Sequence, residues 1–189
     1  MSTTIVRENV TPMRALLRLR NGVVDLAYFF IGHWPVTFSL LGLYGIAWHF
    51  LFVNLSPSLP YTLVWVERGR LPQRGELMVY RCCAHSEGLT PPNLLLFKKV
   101  AGVAGDDIDV TGRMVSVNHQ LIGLAKEKAS TGQRLMPILS SALGNTESVV
   151  IPAGYYFAQG LTADSFDSRY QQSGLVAQSA ILGVAHPIF

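Results

Sequence analysis

Charge is scarce in this chain. Only 14% of its 189 residues are Asp, Glu, Lys or Arg, against 49% hydrophobic, and the mean hydropathy of +0.30 points towards a membrane protein. That length holds one globular domain plus a membrane segment but hardly two full domains. The net charge of +3 would suit nucleic acid if it were spread over a face. Instead Arg7, Arg14, Arg18 and Arg20 stand near the start against only Glu8 and Asp25, with the remainder close to neutral. This is an orientation signal for a membrane, and no nucleic-acid partner is expected. Cysteine is almost absent: Cys82 and Cys83 are adjacent, with no third. Strand neighbours point to opposite faces, so a long-range intrachain disulfide is excluded and packed or surface thiols are expected, with a vicinal or intermolecular bridge left open. His33, His49, His85, His119 and His186 show no metal-ligand spacing, so neither metal nor cofactor is expected. Repeats, low-complexity runs and interdomain linkers are also missing.

What the chain does have is one long apolar run. Residues 36–55 carry only Thr37, Ser39, His49 and Asn54 as polar side chains, and ~20 residues at ~1.5 Å each cover a hydrocarbon core of ~30 Å. The run reads as a transmembrane anchor, with Trp34, Tyr44 and Trp48 as interface or packing aromatics and the upstream arginines placing the N-terminus in the cytoplasm. A cleaved signal peptide would need a shorter core and a small-residue cleavage site, so the anchor is read as uncleaved. Ahead of it, residues 1–35 form a basic segment. The first 11 show no periodicity and read as disordered, whereas from 12 to 30 Met13, Leu16, Leu17, Val23, Val24 and Leu26 interleave with Arg14, Arg18, Arg20 and Asp25. That pattern fits a basic amphipathic helix beside the cytoplasmic membrane face, or equally an extension of the spanning helix.

Beyond the anchor the pattern is β. Residues 61–66 and 76–81 read as strands around a Gly- and Pro-containing turn, 84–93 as a loop, and 94–101 as a buried strand. Short strands at 108–110, 114–117 and 120–122 flank turns at Gly112-Arg113 and Asn118-His119. Residues 124–146 read as a surface loop with a short helix, or as a substrate-facing insertion. Residues 149–159 resume as strand around a Pro152-Ala153-Gly154 turn, and 177–184 close the domain. Residues 56–189 thus form one mainly β domain on a single N-terminal transmembrane helix.

Three stretches carry chemistry. The first, Asn54-Leu55-Ser56-Pro57-Ser58-Leu59-Pro60, begins as the apolar run ends. The second, from Phe97-Lys98-Lys99 to Gly105-Asp106, sets a lysine at the end of an apolar run. The third, Ser165-Phe166-Asp167-Ser168-Arg169, clusters hydroxyl, carboxylate and guanidinium groups. In this order, after an anchor, they resemble the signal peptidase I family of Ser/Lys endopeptidases, in its conjugative-transfer, TraF-type branch. Ser58-Leu59-Pro60 matches that branch better than the Ser-Met-x-Pro-Thr of housekeeping members. Lys98 to Asp106 resembles the family's Lys-Arg-x-x-Gly-x-Pro-Gly-Asp block, with Lys99 for Arg and Ala104 for Pro. The third stretch resembles Ser-x-Asp-Ser-Arg, but residues 160–164 depart from the Gly-Asp-Asn common among relatives.

The resemblance implies a signal-peptidase-like coiled β domain in the periplasm of the bacterial inner membrane. It implies Ser58 as nucleophile, Lys98 as general base, Ser56 with the Ser58 N–H as oxyanion hole, and Ser165, Asp167 and Arg169 as supporting residues. The substrate it implies is a conjugative pilin precursor or another secretory preprotein, with the conjugative transfer apparatus and membrane lipid as partners. Hydrolysis and head-to-tail cyclisation would share the acyl-enzyme. Chemically, a lysine with an ordinary pKa of ~10.4 must fall by roughly 3 units to act as a base near neutrality, and burial does this by disfavouring the ammonium. On a strand Lys99 faces away from Lys98, so only one of them enters the site. Two rivals stand beside this reading: a general signal peptidase I, and a non-catalytic assembly component of the transfer apparatus. Autoproteolytic Ser/Lys repressors need a DNA-reading helix-turn-helix for which the N-terminus has no room.

Overall fold

The computed structural model describes residues 12–82, 94–139 and 146–189. The expected disorder at 1–11, the loop at 84–93 and part of the 124–146 segment lie outside those residues. The chain divides into two compact units, residues 1–49 and 50–189.

The first unit is helical. Two helices, α1 (Pro12–Gly32) and α2 (Trp34–Phe50), are separated only at His33 and bent by 84°. No single described helix is long and apolar enough to cross a membrane, but the pair together meets that test. The bend has local support: His33 stacks on Phe29, its Nδ1 lies 2.8 Å from the Phe29 carbonyl oxygen, and the Thr37 hydroxyl donates to the His33 carbonyl at 3.1 Å. The apolar run expected as one helix over 36–55 is therefore divided. Its helical part stops at Phe50, and Leu51–Val53 form a strand, β1. An apolar run alone cannot separate the last turn of a helix from a short buried strand. The ladder decides it, because Leu51, Phe52 and Val53 pair with Trp65, Val64 and Leu63.

The second unit is mainly β, in two antiparallel sheets. The larger contains β1, β2 (Leu63–Arg68), β3 (Leu77–Arg81), β4 (Leu95–Gly102), β9 (Tyr155–Gln159), β10 (Val176–Ala177) and β11 (Ile181–Pro187), in the order β1-β2-β11-β3-β4-β9-β10. The smaller contains β5 (Asp107–Thr111), β6 (Met114–Val117), β7 (Gln120–Leu124) and β8 (Thr146–Val150), in the order β7-β6-β5-β8. The β6–β7 connection shows why the sequence folds this way. Val117 pairs with Gln120, and Asn118 and His119 both take positive φ, 48° and 62°, the left-handed pair a two-residue hairpin turn requires. The closing strand expected over 177–184 is split instead, because a 3-10 turn at Gln178–Ala180 separates β10 from β11.

Alternation sorts the core. On β5 and β6, Ile108, Val110, Val115 and Val117 are buried together with Leu135, Ile151, Phe157 and Tyr170. In the larger sheet Val79 pairs with Phe97 and Met78 with Lys98, so neighbouring positions serve opposite faces. One face carries Leu59, Val64, Val66, Val79 and Phe97; the other carries Met78, Tyr80, Val100 and Ala158. Within 125–139 there is no helix, only a Lys128–Arg134 bridge and a Pro137–Tyr170 bridge. Arg113 fastens this segment by donating to the carbonyls of Ala125, Lys126 and Leu135. Cys82 is buried and disulfide-bonded, which overturns the expectation of packed or surface thiols. β3 ends at Arg81, before Cys82, so strand alternation does not govern this cysteine. Cys83 lies outside the described residues.

Candidate active site

The turn that follows β1 is tied together by Asn54. Its amide donates to the carbonyls of Ser56 and Tyr61 at 2.9 and 2.8 Å and to that of Leu59 at 3.3 Å. Its side-chain oxygen accepts from the Ser56 N–H at 3.0 Å, the local closure that an Asn side chain favours in turns. Ser56 and Ser58 then face each other: their hydroxyls are 2.7 Å apart, and the Ser58 N–H donates to Ser56 Oγ at 3.2 Å. Ser58 is buried while Ser56 is exposed. The neighbouring Leu59 packs into the cluster containing Phe97, so the residues adjoining Ser58 and Lys98 share one apolar cluster.

β4 delivers the lysine. Lys98 is only 2% exposed, among the Met78, Tyr80, Val100 and Ala158 face, while Lys99 is half-buried on the opposite face. Lys98 Nζ donates to Ser165 Oγ at 2.6 Å. Burial lowers its pKa from 10.5 to about 8, with Asp167 opposing that fall and Arg169 adding to it.

The last stretch is anchored to β9. The Ser168 N–H donates to the Ala158 carbonyl, Ser168 Oγ accepts from the Ala158 N–H at 3.0 Å, and the same hydroxyl donates to the Gly174 carbonyl at 2.7 Å. Asp167 and Arg169 are both buried and form a two-point pair, Nε to Oδ1 at 2.9 Å and Nη2 to Oδ2 at 3.0 Å. Asp167 also accepts the Gly160 N–H at 2.9 Å. Arg169 reaches further, donating to the carbonyls of Ser165, Thr162 and Leu124. Its pKa is raised above the ordinary arginine value: burial opposes the rise, and the Asp167 carboxylate outweighs it.

Gly160 joins the three stretches. A Cβ there would lie 1.8 Å from Ser165 Oγ and 3.3 Å from Lys98 Nζ, so only glycine fits. The next residue, Leu161, donates its N–H to the Ser58 carbonyl at 2.8 Å. Ser58, Lys98 and Ser165 are thus gathered around one turn, with Ser58 Oγ bonded to Ser56 and Lys98 Nζ to Ser165. Ser56, Asp167 and Arg169 belong to the same assembly. The sequence reading missed Asn54 and Gly160 as positioning residues, although an Asn before Ser-x-Ser and a Gly after a strand were both visible. It also missed the partner of Asp106, whose buried carboxylate pairs with Arg74 and accepts from Val103 and Asn118. No group of His, Cys, Asp and Glu able to hold a metal occurs among the described residues.

A hydroxyl pair, a dry lysine and a buried ion pair around one turn suit acyl transfer through serine. The family model for signal peptidases, peptidase S26, matches residues 33–189, and the chain belongs to that family. The conjugal transfer protein TraF of Agrobacterium fabrum (strain C58) is 28% identical to it over 152 residues, 72% of this chain and 81% of that protein. A signal peptidase I from Enterococcus faecalis V583 aligns with 61% of this chain and 97% of its own at 20% identity. Its TM-score of 0.37 is too low to equate the two overall folds.

Proposed function

We propose that the chain is a membrane-anchored serine endopeptidase using a Ser58/Lys98 dyad to process a conjugative pilin precursor, with its peptidase unit in the periplasm. The observation that carries the reading is the Lys98 amine, buried and hydrogen-bonded to Ser165 Oγ at 2.6 Å. An amine with its pKa lowered to about 8 is uncharged in a useful fraction of molecules near neutral pH, and only that form accepts a proton. The substrate class is inferred from the relative, a conjugal transfer protein.

In this mechanism the Ser58 hydroxyl exchanges its bond to Ser56 for one to Lys98 as substrate binds. Ser58 Oγ attacks the scissile carbonyl carbon while its proton passes to Lys98 Nζ. The Ser58 N–H and the Ser56 hydroxyl, which face each other in the free protein, turn to the developing oxyanion, a contribution of several kcal/mol. The ammonium returns the proton to the departing amine, leaving an ester on Ser58. Water, or the amine terminus of the same pilin, then releases the acyl group, giving a linear or a cyclic product.

The test is pilin processing in cells and with purified enzyme. A Ser58→Ala variant should leave the precursor uncut, and processing that persists in it overturns the dyad and favours the assembly-component reading. Mass spectrometry of mature pilin separates the two fates, since a cyclic product is one water lighter. Cleavage of diverse secretory precursors with pilin ignored would transfer the assignment to a general signal peptidase.

A further inference from the structure

We propose that Gly123, on the edge strand β7 of the smaller sheet, is a positioning residue for Lys98: it lets the Arg169 guanidinium lie against the strand and so keeps the Asp167–Arg169 pair aligned beside the amine. The inference rests on the Ser58/Lys98 reading and extends it, because it makes the smaller sheet part of the support of the base. β7 is not a plain strand. Val115 pairs with Gly123 and Ser116 with Leu121, which leaves Ile122 as an extra, bulged residue. Bulges bend a strand and re-aim its end, and a strand glycine often marks a backbone that another group approaches closely. Gly123 takes φ 144°, a conformation that side-chain-bearing residues rarely adopt.

What approaches the bulge is the candidate active site. The Ile122 carbonyl accepts from Gln159 Nε2 at 3.3 Å, and the Leu124 carbonyl accepts from Arg169 Nη1 at 3.3 Å. A Cβ on Gly123 would stand 3.3 Å from that same Nη1 and 4.0 Å from Arg169 Cδ. Further along the segment, the Ile138 N–H donates to the Arg169 carbonyl at 2.8 Å and the Gln171 N–H to the Met136 carbonyl at 2.9 Å. Arg169 is therefore held at its side chain by β7 and at its main chain by the segment that follows. A bulge that merely ended a strand would need neither contact.

The guanidinium has no room to retreat. Its Nε and Nη2 already lie 2.9 and 3.0 Å from the Asp167 carboxylate, and Nη2 donates to the Ser165 carbonyl at 3.0 Å as well. A methyl group at position 123 is accommodated only if the guanidinium swings off the carboxylate. The titratable and charged groups on the amine's side of the sheet are Tyr80 from β3, Tyr156 from β9, and Asp167 and Arg169 from the turn after β9. Asp167 favours the ammonium and Arg169 disfavours it, while burial and Asp167 push the Tyr80 phenol up, so that it keeps its proton. A carboxylate left with a displaced partner draws the Lys98 pKa upward.

The test is the pH profile of precursor cleavage by the purified full chain. Gly123→Ala should move the midpoint of kcat upward by about half a pH unit, which lowers kcat at pH 7 by roughly threefold and leaves KM unchanged. The control is Gly132→Ala, which meets the same kind of backbone penalty at φ 84° but has open space around its Cβ; its midpoint should stay with wild type. In an Arg169→Lys background, which lacks Nη1, adding Gly123→Ala should move the midpoint no further. If Gly123→Ala fails to fold, Gln159→Leu loosens the same edge through the Ile122 carbonyl and should raise the midpoint in the same direction. A Gly123→Ala midpoint equal to wild type, an equal shift in Gly132→Ala, or an equal shift with and without Arg169 overturns the proposal, as does an unmoved Gln159→Leu midpoint where that variant is the one measured. A wild-type profile with no step near pH 8 is a different failure: it removes Lys98 as base, and this inference with it.

Discussion

The two sheets of the second unit are buried in different ways. The four-stranded sheet buries Ile108, Val110, Val115 and Val117 against Phe157 and Tyr170, an ordinary apolar layer. The seven-stranded sheet buries Lys98, and Ser165, Asp167, Ser168 and Arg169 are packed around it. Apolar burial stabilises by roughly 25 cal/mol per Å² without directional demands. Buried charge stabilises little or even costs, and it persists only where each group is paired. The difference teaches that the larger sheet, beside the apolar clusters on its two faces, also gives up some stability to keep an amine dry and aimed.

The largest expected effect breaks the comparison at its chemical end. Lys98→Ala should lower cleavage of the precursor by about 10⁴-fold, as removal of one member of a concerted catalytic set does elsewhere, with the peptide-bond cleavage rate as the measurement. In the native enzyme kcat/KM should rise with pH through about 8 and then level, as the Lys98 amine loses its proton. A profile flat from pH 6 to pH 9 would remove Lys98 from the role of base.

Next come the structural changes. Arg169→Ala leaves the buried Asp167 carboxylate without its two-point partner, and should cost about 3–5 kcal/mol in denaturant unfolding. Ile108→Ala in the smaller sheet should cost a comparable 2–5 kcal/mol, roughly, through a cavity. Only the Arg169 variant should also shift the pH at which activity rises, because Arg169 acts on the Lys98 amine directly and through Asp167.

Lys98→Met sharpens the contrast further. Between about pH 8 and 10.5 the folded protein binds fewer protons at Lys98 than the unfolded chain, so the cost of burying the amine is complete below pH 8 and disappears as pH rises to the ordinary lysine value. At pH 7 an inactive Lys98→Met variant should be more stable than wild type, by up to ~3 kcal/mol. That advantage should vanish near pH 11. The smallest effect belongs to Lys126→Ala, which removes an exposed ion pair with Asp164 and should change stability by less than about 1 kcal/mol.

Much of the second unit was legible beforehand because it depends on alternation over short distances. The strands from residue 94 to residue 122 were readable from apolar periodicity, and Asn118-His119 was readable as a turn from residue type. The opposed fates of Lys98 and Lys99 followed from the two-residue period of a strand. Less legible were features set by distant partners. β1 was read as helix because its ladder with β2 cannot be seen in Leu51-Phe52-Val53. The disulfide at Cys82 was not expected, although the strand before it was read to its end at residue 81, because whether a thiol is bonded depends on its partner in space. Gly160 was noted only as the first residue of a turn that departs from the family pattern, since its meaning lies in the Ser165 hydroxyl and the Lys98 amine that crowd it.

By itself the sequence determined the inventory: an apolar helical start, a β domain, a lysine among apolar neighbours, and three ordered blocks of hydroxyl and charged residues. These follow from local periodicity and residue chemistry, which act within a few positions. Only the tertiary structure decided that Lys98 and Ser165 share a hydrogen bond, that Arg169 clasps Asp167 in a dry interior, and that the Ser58 carbonyl is held by Leu161. The physical reason is that desolvation and directional hydrogen bonds belong to neighbours in space, which a linear chain does not specify until its sheets have packed.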